Sequence, residues 1–424
     1  MIFYSIKEKF LFYSLPVILF SLLPFFLITG PFLSDLSVSI IVILFFIYCA
    51  RQKKFLFYFN NKYFYFFLTF YFYLLINSSL INFNIDSLKI SFFYFRYGVF
   101  VIAIYYLLKV NSEFSKYFFY CIFLCFSILI VDGYYQYFMG TNILGFVSPD
   151  RLRVSSFFGE EMILGSYLCR LWPIYFGLSI YYIKKKDKLF LLFILIFVLS
   201  ETLIFLSGDR TAFFYINLST IFVILFSQKL FKLRLMILIS SIFLIIVISI
   251  FVPAAKERVI DKTLNQMNFN DENINEKKNI FSKEHTNIYI SAYNIFLDNK
   301  VFGVGVKNFR NTCKELKYYV NDKEACNTHP HNTYIQILAE IGIIGFLFFI
   351  IVIFYFCKYV FKHLLLKLNN KYYFSDFEIC ILSGIIIYLW PFIPTGNVFN
   401  NWLNIALILN LPFLILSRNS IKTQ

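Results

Sequence analysis

Apolar runs of about 18–22 residues follow one another from end to end of this chain, and each is long enough to cross a bilayer as a helix. That succession constrains the fold more than any single motif does. Inside lipid every backbone polar group must find its partner within the segment, and a helix achieves this. Composition agrees: the chain is 59% hydrophobic, 22% aromatic and 15% charged, with mean hydropathy +0.70, whereas soluble chains carry about 25% charged residues. The sequence therefore predicts an all-α polytopic membrane protein. Heavy use of Phe, Tyr, Ile, Lys and Asn is compatible with AT-rich coding, so the 59 phenylalanines carry no functional argument.

About twelve spans are predicted, near 10–29, 33–50, 63–80, 90–108, 117–138, 162–183, 189–206, 211–227, 235–252, 334–357, 377–394 and 398–416. The net charge of +15 does not point to nucleic acid, because most of it lies in short loops between these runs. Lys7 and Lys9, Arg51, Lys53, Lys54 and Lys62, Lys109 and Lys116, the run KKKDK at 184–188, Lys229, Lys232 and Arg234, Lys358, Lys362, Lys367 and Lys371, and finally Arg418 and Lys422 all fall on one side if the count is twelve. The positive-inside rule makes that side, and with it both termini, cytoplasmic. No small-residue cleavage site follows Lys7 and Lys9, so Phe10–Thr29 is read as a first anchor and not as a cleavable signal.

The opposite side carries what is unusual: a loop at 139–161, the tight turn SGDR (207–210), a long polar segment at about 253–333 and PTGN (394–397). The chain thus divides into 1–252 with nine spans, the outer segment 253–333, and 334–424 with three spans and a tail. Within the outer segment, SKEHTNIYISAYNIFLDN reads as an amphipathic helix with Ile288, Ala292, Ile295 and Phe296 on one side, and FGVGVKNF supplies a glycine turn after it. No internal repeat supports an inverted-repeat transporter.

Of eight cysteines, Cys313 and Cys326 alone lie outside the predicted spans, both in the outer segment. On an oxidising side they can close a small disulfide loop; two free thiols, or a zinc site shared with nearby histidines, are the alternatives.

Three clusters at the outer boundary can carry chemistry. In HPHNTYIQILAEIGIIG, Asn332 is a suitable N-cap for span ten, which sets His331 at the positive end of a helix dipole. That position favours the neutral imidazole that a general base requires; packing in a loop is the other role for such a histidine. Glu340 is a carboxylate within the membrane, where it must face protein or water. In LSGDRTAFF, Arg210 sits at headgroup depth with a bidentate fork suited to a phosphate, or as a snorkelling interfacial arginine. In DRLRVSSFFGEEMILGSYLCR, Arg151, Arg153, Glu160 and Glu161 can bind an anionic headgroup and orient a hydroxyl, or simply form a salt-bridged loop. Arg96, Asp132, Arg170 and Glu201, inside spans, are expected to be paired within the protein or to face a cavity, with pairing the preferred reading. No P-loop, HExxH, GxSxG or acidic metal–diphosphate pair occurs, which leaves anionic substrates to arginines.

Together these residues resemble the O-antigen ligase/polymerase superfamily. Its signature of His, a small polar residue, nine residues, Gly, two residues and Gly is matched by His331, Asn332, Gly342 and Gly345. NIFLDNKVFGVGVKNFR is similar to the family's dnPxxGxGxxxF element, SGDRTA to its SxSRxA stretch, and RVSSFFGEEMILGSYL to its R-[IL]-S-G-x-[FY]-x-x-E turn. The resemblance covers about 150–416 and implies twelve spans with a long periplasmic loop before the tenth. It implies that His331 takes a proton from an acceptor hydroxyl, and that Arg210 binds the diphosphate of an undecaprenyl-linked glycan donor. Arg153, Arg151, Glu161, Asn332 and Glu340 would shape the same pocket, with no metal or other cofactor. The chain departs from the family at a second loop arginine, where SKEHTNIYISA offers Lys283 and His285; Lys283, Arg153 or Arg310 would then serve as the second cation.

What the resemblance implies is an inner-membrane glycosyltransferase acting at the periplasmic face. The acceptor is lipid A–core in a ligase, another lipid-linked glycan in an O-antigen or exopolysaccharide polymerase, and a protein in an O-oligosaccharyltransferase. The Arg-x10-Gly arrangement of some polymerases is missing, which favours the ligase. The rival from another class is a transporter or flippase for lipid-linked sugars. It would concentrate polar residues mid-span, whereas here they gather at the outer boundary.

Overall fold

The computed structural model describes residues 6–150, 152–183, 189–251, 256–266, 281–318 and 326–421. The predicted basic run at 184–188, Arg151 and Lys422 lie outside these residues. Among the described residues all regular secondary structure is helical, apart from one isolated β-bridge between Thr141 and Val147. Nine helices among the described residues are long and apolar enough to cross a membrane. Helices also occupy the remaining predicted stretches, as Leu164–Tyr182, Arg210–Phe226 and Asp376–Leu389. The protein is an all-α multi-pass membrane protein.

Local sequence sets the helix ends. Asn61 caps Lys62–Ile76 by accepting the amide of Phe64, and Ser375 with Glu378 forms a capping box at the start of Asp376–Leu389. Helix-inner Pro24 and Pro173 are tolerated where neighbouring helices surround the backbone. Some predicted spans differ in detail. The eleventh helix stops at Leu389, five residues early, because Pro391 lacks an amide donor and disfavours helical backbone before it. The tenth runs on to Leu368 but is broken inside at Gly342.

The core is aromatic. Phe20 stacks on Phe118 with centroids 4.8 Å apart, and Trp172 stacks on Phe176 at 4.6 Å. Large apolar side chains such as Phe32, Leu191, Phe251 and Phe354 stay exposed on helices, as lipid-facing residues must. The expected pairing of buried charges is found for three of four residues. Arg96 meets Asp35 at 2.7 Å, Glu201 meets Arg234 at 2.8 Å, and Asp132 accepts the amide of Ile143 and the hydroxyl of Ser156. Arg170 differs: its guanidinium lies 5.3 Å from the ring centre of Tyr215 and 5.2 Å from that of Tyr388, and it donates to Ser166 Oγ.

The helices give the bundle two unlike ends. At one, Lys367 donates to the carbonyls of Leu225 and Ser227, the amides of Gln228 and Lys229 meet Asp376, and Arg418 lies over Tyr373. His363 is a structural residue there, accepting the amides of Tyr373 and Phe374 on Nδ1. The other end gathers the described residues of 139–163, the 207–209 turn, 256–266, 281–318 and the 390–400 loop.

Candidate active site

Outside the spans, Ser282 caps Lys283–Asp298, and Ile288, Ala292 and Ile295 bury one face of that helix. Its buried face packs with Val304, Phe309 and Ala339. A disulfide between Cys313 and Cys326 closes the segment that follows, with Cα atoms 5.5 Å apart.

The glycine element after this helix docks into the broken Thr333–Leu368 helix. Gly342 takes φ +63° and ψ −169°, a backbone region essentially reserved for glycine. The two carbonyls and one amide left open at the break pair with the incoming loop: Val304 N donates to Ala339 O, Gly305 N to Glu340 O, and Ile343 N to Lys300 O, all at 2.8–3.0 Å. Asn77 and Asn82 from a neighbouring helix hold the carbonyls of Phe302 and Gly303. Glu340 is fully buried beneath the same junction; its carboxylate accepts Gln336 Nε2 at 2.9 Å and the amide of Phe309 at 3.3 Å. The distant sequence elements GVG and Gly342 are thus one device that seats the outer segment on the bundle.

That device places the histidines. Asn332 caps the helix by accepting the amides of Tyr334 and Ile335, and its own amide donates to Pro391 O, so its side chain is occupied by backbone. His331, with φ +55°, stands just before it, half-buried, and its carbonyl accepts the amide of Thr395 at 2.7 Å. The PTGN loop is further tied by Thr333 to Thr395 and by Gln336 to Asn397. His329 packs against His331 with ring centres 4.0 Å apart and is itself bonded on both nitrogens, to Thr328 and to the carbonyl of Thr395. His285 meets the His331 ring edge-on at 5.6 Å. Three of the chain's four histidines therefore share one site. Burial, with the other imidazoles nearby, lowers the pKa of His331 to about 4 and of His329 to about 3. Both rings are neutral at pH 7. The Thr395 backbone opposes this shift at both rings, and His331 is the ring in contact with both of the other imidazoles.

The arginines assemble around Gly208. Its φ of +64° makes the SGDR turn, and a Cβ there would fall 2.7 Å from Arg153 Cγ and 3.1 Å from Arg258 Cγ, so both side chains cross over the glycine. Arg153 is fixed by Nε to Ser207 O and Nη2 to Met162 O. Asp209 caps Arg210–Phe226 by accepting the amide of Ala212, and Arg210 donates to Thr263 Oγ1 at 3.2 Å. Burial lowers the Arg153 pKa, opposed by Asp209 and reinforced by Arg258; arginine remains charged across the physiological range. Arg258 also faces Asp150, at 3.9 Å. The field of Arg210 reaches His285, which links the cationic cluster to the histidines.

Beneath lies a cavity of about 330 Å³. Thr333, Thr395 and Arg170 line its upper part, and Phe66, Phe70, Phe348 and Phe349 its membrane part.

Of the residues singled out by sequence, the structure joins His331, Asn332 and Glu340 in one unit and Arg153 with Arg210 in another. Glu161 is exposed at the end of the Ser156–Glu161 turn, and no ion pair among the described residues includes it. Lys283 and Arg310 are exposed as well, so the second cation packed beside Arg210 is Arg153, with Arg258 as a third. Arg258 and His285 were not expected at the site. Arg258 sits 50 positions after Gly208 with no motif around it. His285 carried a usable signal, a scarce histidine three residues after a capping serine. Residues 191–350 match the family model described as O-Antigen ligase. No curated protein matches the chain.

Proposed function

Because residues 191–350 are O-antigen ligase-related, we propose that this membrane protein is a glycosyltransferase that moves a glycan from undecaprenyl diphosphate to an acceptor hydroxyl, with lipid A–core as the acceptor. The observation that carries the reading is the arrangement of Arg153, Arg210 and Arg258 on one turn, coupled through His285 to His331, above an apolar cavity. Guanidinium forks suit a diphosphate, and the phenylalanine-lined cavity suits an isoprenoid chain.

In the proposed reaction the acceptor hydroxyl gives its proton to His331 as its oxygen bonds to the anomeric carbon. The sugar–phosphate bond breaks, and its electron pair stays on the diphosphate oxygen. Arg153, fixed by two backbone carbonyls, and Arg210, bonded to Thr263, stabilise that developing charge without reorganising. No cofactor takes part. The basic loops and both termini face the cytoplasm of an inner-membrane protein, and the 253–333 segment faces the periplasm.

The test uses the full-length protein in nanodiscs with an undecaprenyl-diphosphate-linked glycan and lipid A–core. His331→Ala should lower transfer by about a hundredfold or more, the scale of general-base catalysis. A neutral base with a pKa of about 4 predicts a rate that holds from pH 7 down to about 5 and falls only below that. Unchanged transfer by His331→Ala would refute the mechanism. Elongation of the lipid-linked glycan with no transfer to lipid A–core would assign a polymerase.

A further inference from the structure

We propose that His285 is a second substrate-contacting imidazole, one that donates a hydrogen bond from Nε2–H to the diphosphate of the lipid-linked donor. The inference rests on the glycosyl-transfer reading above and adds to it a residue that the arginines and His331 leave unaccounted for.

The hydrogen bonds of the helix start fix which nitrogen carries the proton. Ser282 is the N-cap, and its Oγ accepts the backbone amide of His285 at 3.4 Å. The same Oγ lies 2.7 Å from His285 Nδ1. A capping hydroxyl that already accepts from the amide has its own proton to give, so it donates to Nδ1. Neutral His285 then carries its hydrogen on Nε2. Burial, together with Arg210 and against Glu284, keeps the ring in that neutral form.

The position of the ring decides what this N–H can reach. His285 lies edge-on to His331 with ring centres 5.6 Å apart, and the same ring feels the charge of Arg210. His285 is thus a neighbour both of the base that receives the acceptor's proton and of the cations that hold the diphosphate. The sugar–phosphate bond must lie near both of them during transfer. A donor placed there meets the oxygen that gains charge as this bond breaks, and its hydrogen bond strengthens along the reaction. No proton moves from His285: the acceptor's proton goes to His331, and the electron pair of the broken bond remains on the diphosphate, shared among Arg210, Arg153, Arg258 and the His285 N–H. The other two histidines here do not compete for this role. His329 is bonded on both ring nitrogens, and His331 must keep a free lone pair.

Two substitutions separate this role from a packing role. His285→Gln retains an N–H donor near the place of Nε2, and His285→Ala removes it. Each variant of the full-length protein in nanodiscs is titrated with undecaprenyl diphosphate and assayed for glycan transfer, with thermal unfolding as a control for the fold. We expect His285→Ala to bind undecaprenyl diphosphate about tenfold more weakly, the scale for a hydrogen bond to a charged group. Its kcat should fall further, and His285→Gln should recover most of both losses. If His285→Ala binds and transfers like the unsubstituted protein, or if Gln and Ala lose activity equally while remaining folded, the proposal is overturned and the functional reading stands. If the unsubstituted protein binds no undecaprenyl diphosphate and transfers no glycan, both fall together.

Discussion

Gly342→Ala should unseat the outer segment from the bundle, and its cost can be worked from the junction. The backbone at this position, φ +63° and ψ −169°, costs a non-glycine residue about 1–3 kcal/mol. The added Cβ would also collide with the carbonyl of Val301 and the amide nitrogen of Phe302, which are backbone atoms and cannot rotate aside. Relief requires the 300–305 loop to withdraw. That motion breaks the bonds from Val304 N, Gly305 N and Ile343 N, each worth about 1 kcal/mol net. The total is about 4–6 kcal/mol, a large part of the stability of a typical domain. Gly345→Ala is the matched comparison. The nearest atoms to its Cβ belong to the Ile341 side chain, down to the β-carbon, so this substitution strains the helix too, but it leaves the 300–305 loop backbone and the three junction bonds in place. Thermal unfolding of both variants in detergent, followed by intrinsic fluorescence, checks the argument. Gly342→Ala should melt several degrees below Gly345→Ala and transfer no glycan. Equal melting of the two variants would refute the assignment of Gly342 as the docking break.

Other consequences can be measured in the same preparations. Arg258→Ala should weaken undecaprenyl diphosphate binding about tenfold, with partial recovery in Arg258→Lys, because a lysine restores charge without the fork; unchanged binding removes Arg258 from the diphosphate site. Cys313→Ser should destabilise the outer segment by about 3 kcal/mol, the value for a closed loop of this order, and should be visible as faster proteolysis of that segment. Alkylation of both Cys313 and Cys326 in non-reduced spheroplasts would rule out the bridge in the native membrane. Acid should destabilise the fold in a defined window. The folded pKa of His331, about 4, lies below its unfolded value, so stability is lost as the pH falls through about 6.5 and the loss is complete near 4. In His331→Gln this loss is reduced, which a pH series of melting temperatures would show.

Much of the candidate site was legible because its determinants are local. Asn332 ahead of a long apolar run is a capping signal, and it fixed the start of the helix beside His331. The apolar face of SKEHTNIYISAYNIFLDN marked the amphipathic helix, and SGDR read as a tight turn carrying a cation. The end of the eleventh helix was placed too far along, since hydropathy alone does not stop at Trp390. Pro391 stops it, and the residues released become the loop that holds His331. Arg170 was expected to be paired or to face a cavity; it lines the cavity, with two tyrosine faces and a serine hydroxyl around it in place of an acidic partner. A linear sequence does not distinguish an acidic neighbour from an aromatic one.

The sequence by itself determined the class of molecule and several of its local turns and helix starts. Span length, apolar composition and the requirement that lipid-embedded backbone bond to itself admit a helical bundle, whatever its packing. Tertiary structure alone decided which residues became neighbours. Arg153, Gly208 and Arg258 are brought together by the crossing of three segments, and His285 reaches His331 only because the 300–305 loop docks into the break at Gly342. The physical reason is that hydrophobicity is a per-residue quantity that accumulates along the chain, whereas a reaction centre depends on distances of a few ångströms between side chains tens of residues apart. Those distances are set by backbone geometry at particular glycines and by hydrogen bonds across the fold.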